Sequence, residues 1–270
     1  MHEDLPRLLD ELGANATAAP TVQLLDGWVL RAAEALPFRR SSCVLPWTGP
    51  ADLTDLALDA RLAVVRGFYG PRGLPARFQV GAAPRPADLD ARLAERGFEV
   101  EAPVDVLAAG SGEAARRTTP GPGPPSELRA EVTHGVDAAW IERYAEAHAD
   151  DEQARARVLA YGTLLSRIGP PVVTVAAYVG VEVAGVGFGV IERGWLGVFG
   201  MGTRPPWRRR GVARSVLGAL ARAAEATGAA RVYLQVERDN HPALALYEGA
   251  GFAVVHGYHY RTETAPDASA

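Results

Sequence analysis

The sequence predicts an α/β (α+β) protein built as two domains of similar make-up. Three observations carry that expectation. Helical periodicity and strand alternation follow one another along the whole chain. A chain of 270 residues divides by default into two domains at about 100–200 residues each. Near the middle, GSGEAARRTTPGPGPP over residues 110–125 interrupts the pattern with Gly, Pro, Ser and Thr, which stiffen or loosen a chain but offer little apolar surface to pack.

In the first half, Leu5, Leu8, Leu9 and Leu12 recur at helical spacing before Gly13. Two apolar stretches, 22–25 and 28–31, flank Asp26-Gly27, the pair favoured in two-residue hairpin turns. Residues 52–69 read as a helix, with Leu56, Leu62, Val65 and Phe68 on one stripe and Gly70-Pro71 ending it. A short strand at 77–80, a helix at 86–96 and a strand at 104–108 follow.

After the break come a strand at 128–132, helices at about 137–147 and 152–168, and strands at 172–179, 182–192 and 196–203. A long helix covers about 211–226, with Val212, Val216, Leu220 and Ala223 on one stripe. Residues 231–237 alternate as a half-buried strand. A short helix at 242–248 and a strand at 256–261 close the chain. These limits set a first domain at 1–110, a linker at 111–126, a second domain at 127–262 and an unstructured tail at 263–270. A faint repeat links the halves: Phe78-Gln79-Val80 then Gly97-Phe98, against Leu234-Gln235-Val236 then Gly251-Phe252.

Composition excludes several functions. The chain is 48% hydrophobic and 22% charged, with a net charge of −4, so it does not hold nucleic acid by bulk charge. All 28 basic residues are arginine. The single cysteine, Cys43, rules out an intramolecular disulfide and a cysteine-rich zinc site. His256 and His259, on a strand, fall on opposite faces, so no metal is expected. The acidic start MHEDLPRLLDELG is unlike a signal peptide, and no apolar run approaches the ~20 residues that span a bilayer. A soluble cytoplasmic protein with no membrane or nucleic-acid partner is the expectation, its oligomeric state open.

Chemistry concentrates in two segments. Met201–Ala213, MGTRPPWRRRGVA, passes from a strand through a turn into a helix. The first amides of a helix lack internal partners and carry partial positive charge, which suits phosphate. Gly211 and Ala213 allow close approach, and Arg208, Arg209, Arg210 and Arg214 add forked cations. Trp207 sits within this turn. Asn240–Phe252, NHPALALYEGAGF, is a capped short helix with Ala243, Leu246 and Tyr247 on one face.

Together the two segments resemble the GNAT superfamily of acetyl-CoA-dependent N-acetyltransferases. The first matches R/Q-x-x-G-x-G/A as Arg208, Gly211 and Ala213. The second matches the Asn-to-Gly-Phe pattern at Asn240, Ala243, Leu246, Tyr247, Gly251 and Phe252. DGWVLR at 26–31 and RRSSCVLP at 39–46 resemble the degenerate first domain of tandem GNAT proteins. The resemblance implies two GNAT-like domains, each a mixed, mostly antiparallel sheet flanked by helices, with one coenzyme A site.

It further implies roles. Met201, Gly202 and Thr203 present strand backbone to the pantetheine arm. Arg208, Arg209, Arg210, Gly211, Val212, Ala213 and Arg214 cradle the pyrophosphate. Asn240 bonds the cofactor, and Tyr247 protonates the departing thiolate. The acceptor is a primary amine of a small molecule, peptide or protein. Gln235 stands where many relatives carry a glutamate base. Glu237, two residues on, is one candidate base; the first half and bulk solvent are others. Asp150, Asp151 and Glu152 either start a helix or border an amine pocket. A binding module that senses acyl-CoA without turnover is the alternative to an enzyme. The first half could also substitute for a second subunit and cover the acceptor cleft.

Overall fold

The computed structural model describes residues 4–34, 38–119, 127–149 and 151–264. The first half folds as α1 (Leu5–Asn15), β1 (Thr21–Leu25), β2 (Trp28–Ala32), β3 (Val44–Leu45), α2 (Asp55–Tyr69), β4 (Arg77–Val80), α3 (Leu89–Glu95), β5 (Phe98–Gly110) and α4 (Ser111–Arg117). The second half folds as β6 (Leu128–His134), α5 (Ala138–His148), α6 (Glu152–Leu165), β7 (Val172–Val179), β8 (Glu182–Glu192), β9 (Trp195–Thr203), α7 (Val212–Ala226), β10 (Arg231–Glu237), α8 (His241–Gly249) and β11 (Ala253–Glu263). Asp26 and Gly27 take positive φ, 44° and 91°, as a two-residue hairpin requires, and β1 pairs with β2 across them.

Among the described residues one sheet gathers eleven strands in the order β1-β2-β3-β4-β11-β5-β10-β9-β8-β7-β6. Pairing is mostly antiparallel; β3–β4 and β9–β10 are the parallel pairs. A parallel pair needs a crossover. The crossover carries α2 in the first half and α7 in the second.

At the centre of the sheet each half hands its last strand to the other. β5 pairs antiparallel with β10, from Val104 opposite Glu237 to Gly110 opposite Arg231. β11 pairs antiparallel with β4. β5 and β11 then pair with each other. The sequence echoes occupy matching places: Phe78-Gln79-Val80 lies in β4 and Leu234-Gln235-Val236 in β10, each beside the strand received from the other half. This double pairing explains why β5 runs from 98 to 110, well past the expected 104–108.

Two boundaries are corrected. Residues 111–126 were expected to be a linker without a packed face. Ser111–Arg117 instead form a helix that buries Ser111, Ala114 and Ala115, and the two alanines join the cluster of Val216, Leu217 and Leu220. Alanine is the best helix former, and its small side chain lets two helices approach. The Gly- and Pro-rich residues 120–126 lie outside the described residues, as do 265–270 of the expected tail. Glu263 is no part of a free tail. It ends β11, and its N–H donates to the Ala76 carbonyl at 2.9 Å.

The core positions the start of α7. A Cβ at Gly185 would lie 2.7 Å from Val212, and one at Gly187 would lie 2.8 Å from Val216. These glycines let the helix seat directly on β8. Among the described residues no helix is long and apolar enough to cross a membrane.

Candidate active site

β9 and β10 pair only from Trp195 opposite Arg231 to Val198 opposite Leu234. Beyond these residues the strands part. β9 stays with β8, but two of its residues, Gly200 and Met201, oppose Gly187 between the Val186–Gly202 and Phe188–Phe199 pairs. Such a bulge bends and twists the strand. Gly200 has φ +58°, and a Cβ there would press on Phe188 at 2.8 Å and Tyr144 at 2.9 Å. β10 meanwhile follows β5 to Glu237. A wedge opens in an otherwise continuous sheet.

On the side of the wedge that carries α5 and α6 lies a cavity of about 280 Å³. Both halves wall it. Thr17, Phe38, Arg39, Arg40, Ser41 and Val104 come from the first; Tyr144, Tyr161, Phe199, Gly200, Gln235 and Glu237 come from the second. Tyr258 and Tyr260 of β11 complete it. Residues of the two halves thus meet around one cavity.

Gln235 is tied into the first half. Its Oε1 accepts from Arg40 Nη1 at 3.0 Å and from the Tyr258 hydroxyl at 3.2 Å. Its amide nitrogen rests on Gly13, where any Cβ would collide with it. Glu237 lines the cavity, half-exposed, with its Oε1 held by Arg39 Nη1 at 3.1 Å. Arg39 also binds Glu101 at 2.6 Å. Glu237 is therefore a carboxylate with a partner. The ring of His148 covers Gly202, and its Nε2 lies 3.2 Å from the Gly200 carbonyl. Burial holds its pKa below the usual range, so the ring is neutral near pH 7.

Beyond β9 the chain makes a 3-10 turn at Pro205–Trp207 and enters α7. Met201, Gly202 and Thr203 end β9 half-buried, while Arg208, Arg209, Arg210 and Gly211 are exposed. Arg209 and Gly211 take positive φ, 63° and 83°. Gly211 supplies no side-chain cap, and the first turn holds no acidic residue. The amides of Val212, Ala213 and Arg214 are therefore left without a side-chain acceptor.

Arg208, Arg209 and Arg210 form no ion pair among the described residues. Arg210 lies over the Trp207 ring at 5.3 Å. Arg214 departs from the cluster: its guanidinium donates to the Arg117 carbonyl at the end of α4. Trp207 Nε1 is buried and has no acceptor. A buried donor left unpaired costs roughly 1–3 kcal/mol. Free cations, open amides and an orphaned indole N–H suit a polyanionic ligand such as a diphosphate.

Asn240 caps α8 through Oδ1, which accepts from the Ala243 N–H at 3.3 Å. Tyr247, seven residues on, is 8% exposed and belongs to the apolar cluster on which Met201 and Trp207 pack. Its hydroxyl has no hydrogen-bond partner among the described residues. Burial pushes it up to about 12.

Other candidates find structural partners. Asp151 caps α6 by accepting from the Ala154 N–H at 2.6 Å, and Asp150 lies outside the described residues. His256 meets Asp10 at 2.9 Å, and His259 meets Asp90 at 2.8 Å. Cys43 is fully buried, and burial pushes its thiol up to about 11. The sequence reading missed Arg40, Ser41, Tyr144, Tyr161 and His148 as site residues. The one available signal was the arginine doublet in RRSSCVLP, charge set inside an otherwise apolar segment.

Comparison with known proteins places the molecule. A family model described as "Probable histone acetyltransferase Rv0428c C-terminal" matches residues 7–261. The "Uncharacterized N-acetyltransferase YobR" of Bacillus subtilis (strain 168) is 25% identical over 257 residues, which cover 94% of this chain and 97% of that protein. A GCN5-related N-acetyltransferase from Kribbella flavida superposes with a TM-score of 0.67 at 14% identity, covering 99% and 98% of the two chains. A tandem GNAT protein from the clavulanic acid biosynthesis pathway gives 0.65 at 13% identity, covering 96% and 89%. The last two similarities are of fold.

Proposed function

This chain belongs to the family described as probable histone acetyltransferase Rv0428c C-terminal and is an N-acetyltransferase of the GNAT type; we propose that it moves an acetyl group from acetyl-CoA to a primary amine held in the cavity beside Gly200. The observation that carries the reading is the wedge. It opens where β9 and β10 part, with the cavity on the face of α5 and α6 and the uncapped start of α7 at the end of β9.

In this reading Arg208, Arg209 and Arg210 and the amides of Gly211, Val212 and Ala213 hold the pyrophosphate. Arg214, committed to Arg117, adds field rather than a direct bond. The backbone of Met201–Thr203, which β10 leaves unpaired, receives the pantetheine amides as an added strand does. Asn240, whose oxygen caps α8, has its amide group left for the co-substrate.

The amine nitrogen attacks the thioester carbonyl, forming the C–N bond as the C–S bond breaks. Tyr247, protonated at neutral pH, donates its proton to the departing thiolate. The proton lost by the amine passes through water to Glu237 at the cavity wall, with its Arg39 partner displaced, or to bulk solvent. The overall exchange is amine plus acetyl-CoA to acetamide plus CoA thiol, with Tyr247 reprotonated from water.

The two halves are read as GNAT-like units joined by exchange of their last strands, with α4 following the first and the second running to Glu263. Only the second carries a coenzyme A site. Calorimetry with CoA and release of free thiol from acetyl-CoA on an amine panel test the reading. CoA heat with amine-dependent thiol supports it. Heat without thiol on any amine favours a binding module, and no heat removes the assignment of the turn.

A further inference from the structure

We propose that the acceptor carries a carboxylate as well as its amine, and that Arg40, with Ser41, receives it. The inference rests on reading the cavity as the acceptor site.

Of the two arginines that line the cavity, one has no acid among the described residues. Arg39 binds both Glu101 and Glu237, and Arg77 binds Glu101 at 3.2 Å, so two acids answer two arginines. Arg40 makes no ion pair among the described residues. Its Nη1 reaches only the neutral Gln235 Oε1, although a guanidinium offers five N–H donors. It lies part-buried in the cavity wall among tyrosine rings, where water answers it poorly. A cation taken out of water without an anion is costly, and that cost is relieved when a ligand brings one.

A second group points the same way. Ser41 is fully buried and lines the same cavity, yet its Oγ has no hydrogen-bond partner. Arg40 and Ser41 share the one 3-10 turn at Arg39–Ser41. A planar carboxylate matches this pair: it accepts from the fork of the guanidinium and from a hydroxyl. The single uncommitted charge selects a monoanion. A phosphate dianion would leave negative charge unbalanced in the same confined space. Tyr144, Tyr161, Phe188 and Phe199 give one side of the wall an aromatic face. An amino acid with an apolar side chain meets all three demands, with its amine directed to the wedge at Gly200.

Phenylalanine, phenylalanine amide and 2-phenylethylamine separate carboxylate from body. Binding is measured by calorimetry on the full chain with CoA present, and thiol release is followed in parallel. Phenylalanine should bind at least ten-fold more tightly than the other two, about 1.4 kcal/mol. Arg40→Met should collapse that ratio to near unity, while Arg40→Lys, which keeps charge but not the fork, should retain part of it. The inference is overturned if the amide or 2-phenylethylamine binds as well as phenylalanine, if the ratio survives Arg40→Met, or if phenylalanine gives no heat at millimolar concentration. A carboxylate preference without thiol release from any amine sinks the transfer reading, and with it the acceptor, and leaves only Arg40 as a carboxylate-binding group. Thiol release without the preference does the reverse.

Discussion

α2 and α7 occupy the same place in the two halves, each crossing between parallel strands, yet their N-termini are opposites. α2 closes its own end. Thr54 Oγ1 accepts from the Ala57 N–H at 3.2 Å, and Asp55 adds a carboxylate to the first turn. Arg96 and Arg92 bind that carboxylate and hold it below the usual range. α7 begins on Gly211 with no cap and no acid in its first turn, behind three arginines that lack acidic partners among the described residues. On the proposed reading, the comparison teaches that an anion site at a helix end can be made largely by omission. The backbone supplies partial charge at both helices, and what differs is whether the protein has already spent it.

The sharpest way to break the comparison is to remove the chemistry assigned to the open half. Tyr247→Phe should lower kcat by roughly 10²–10⁴-fold while CoA heat persists in calorimetry, because a general acid of this kind contributes on that scale. Burial raises the folded-state pKa of Tyr247 to about 12, so the acid form persists through neutral and mildly alkaline solution. The rate should show no alkaline loss from this group until pH nears that value. A Tyr247→Phe enzyme with wild-type kcat would remove the assignment.

A smaller effect comes from giving α7 what α2 already has. Gly211→Asp sets a carboxylate at the mouth of the free amides. CoA affinity should fall on the order of a hundredfold, about 2.7 kcal/mol, since charge-assisted bonds are lost and repulsion is added. Titration calorimetry reads it directly. Retained affinity would mean that the diphosphate sits elsewhere.

The contrast also explains what could be read from the chain alone. The turn before α7 and the Asn240–Phe252 segment were legible because their chemistry is local: glycine, arginine and a cap at fixed spacing. The hairpin at Asp26-Gly27 was legible for the same reason. The exchange of β5 and β11 was not, because register and partner are set by distant strands, and short apolar stretches carry no address. α4 was hidden by averaging Ala114 and Ala115 with the prolines that follow. Arg40 and Ser41 escaped notice because a single 3-10 turn has no periodicity to read. They come together with Gln235 and the tyrosines of β11 only in the fold.

The mildest test acts on the closed half. Thr54→Ala removes the cap of α2 and exposes its amides much as those of α7 are exposed. Stability should fall by about 1 kcal/mol, the usual worth of such a cap, and Tm by roughly 2–4 °C for a chain of this size. CoA binding should not change in stoichiometry. Losing the cap frees one donor but brings no cation, and Asp55 still stands in the first turn beside Arg92 and Arg96. A second equivalent of CoA bound to Thr54→Ala would show that an uncapped helix end suffices by itself. One equivalent, with the expected drop in Tm, would assign the difference between the halves to the unpaired arginines before α7 as much as to the missing cap.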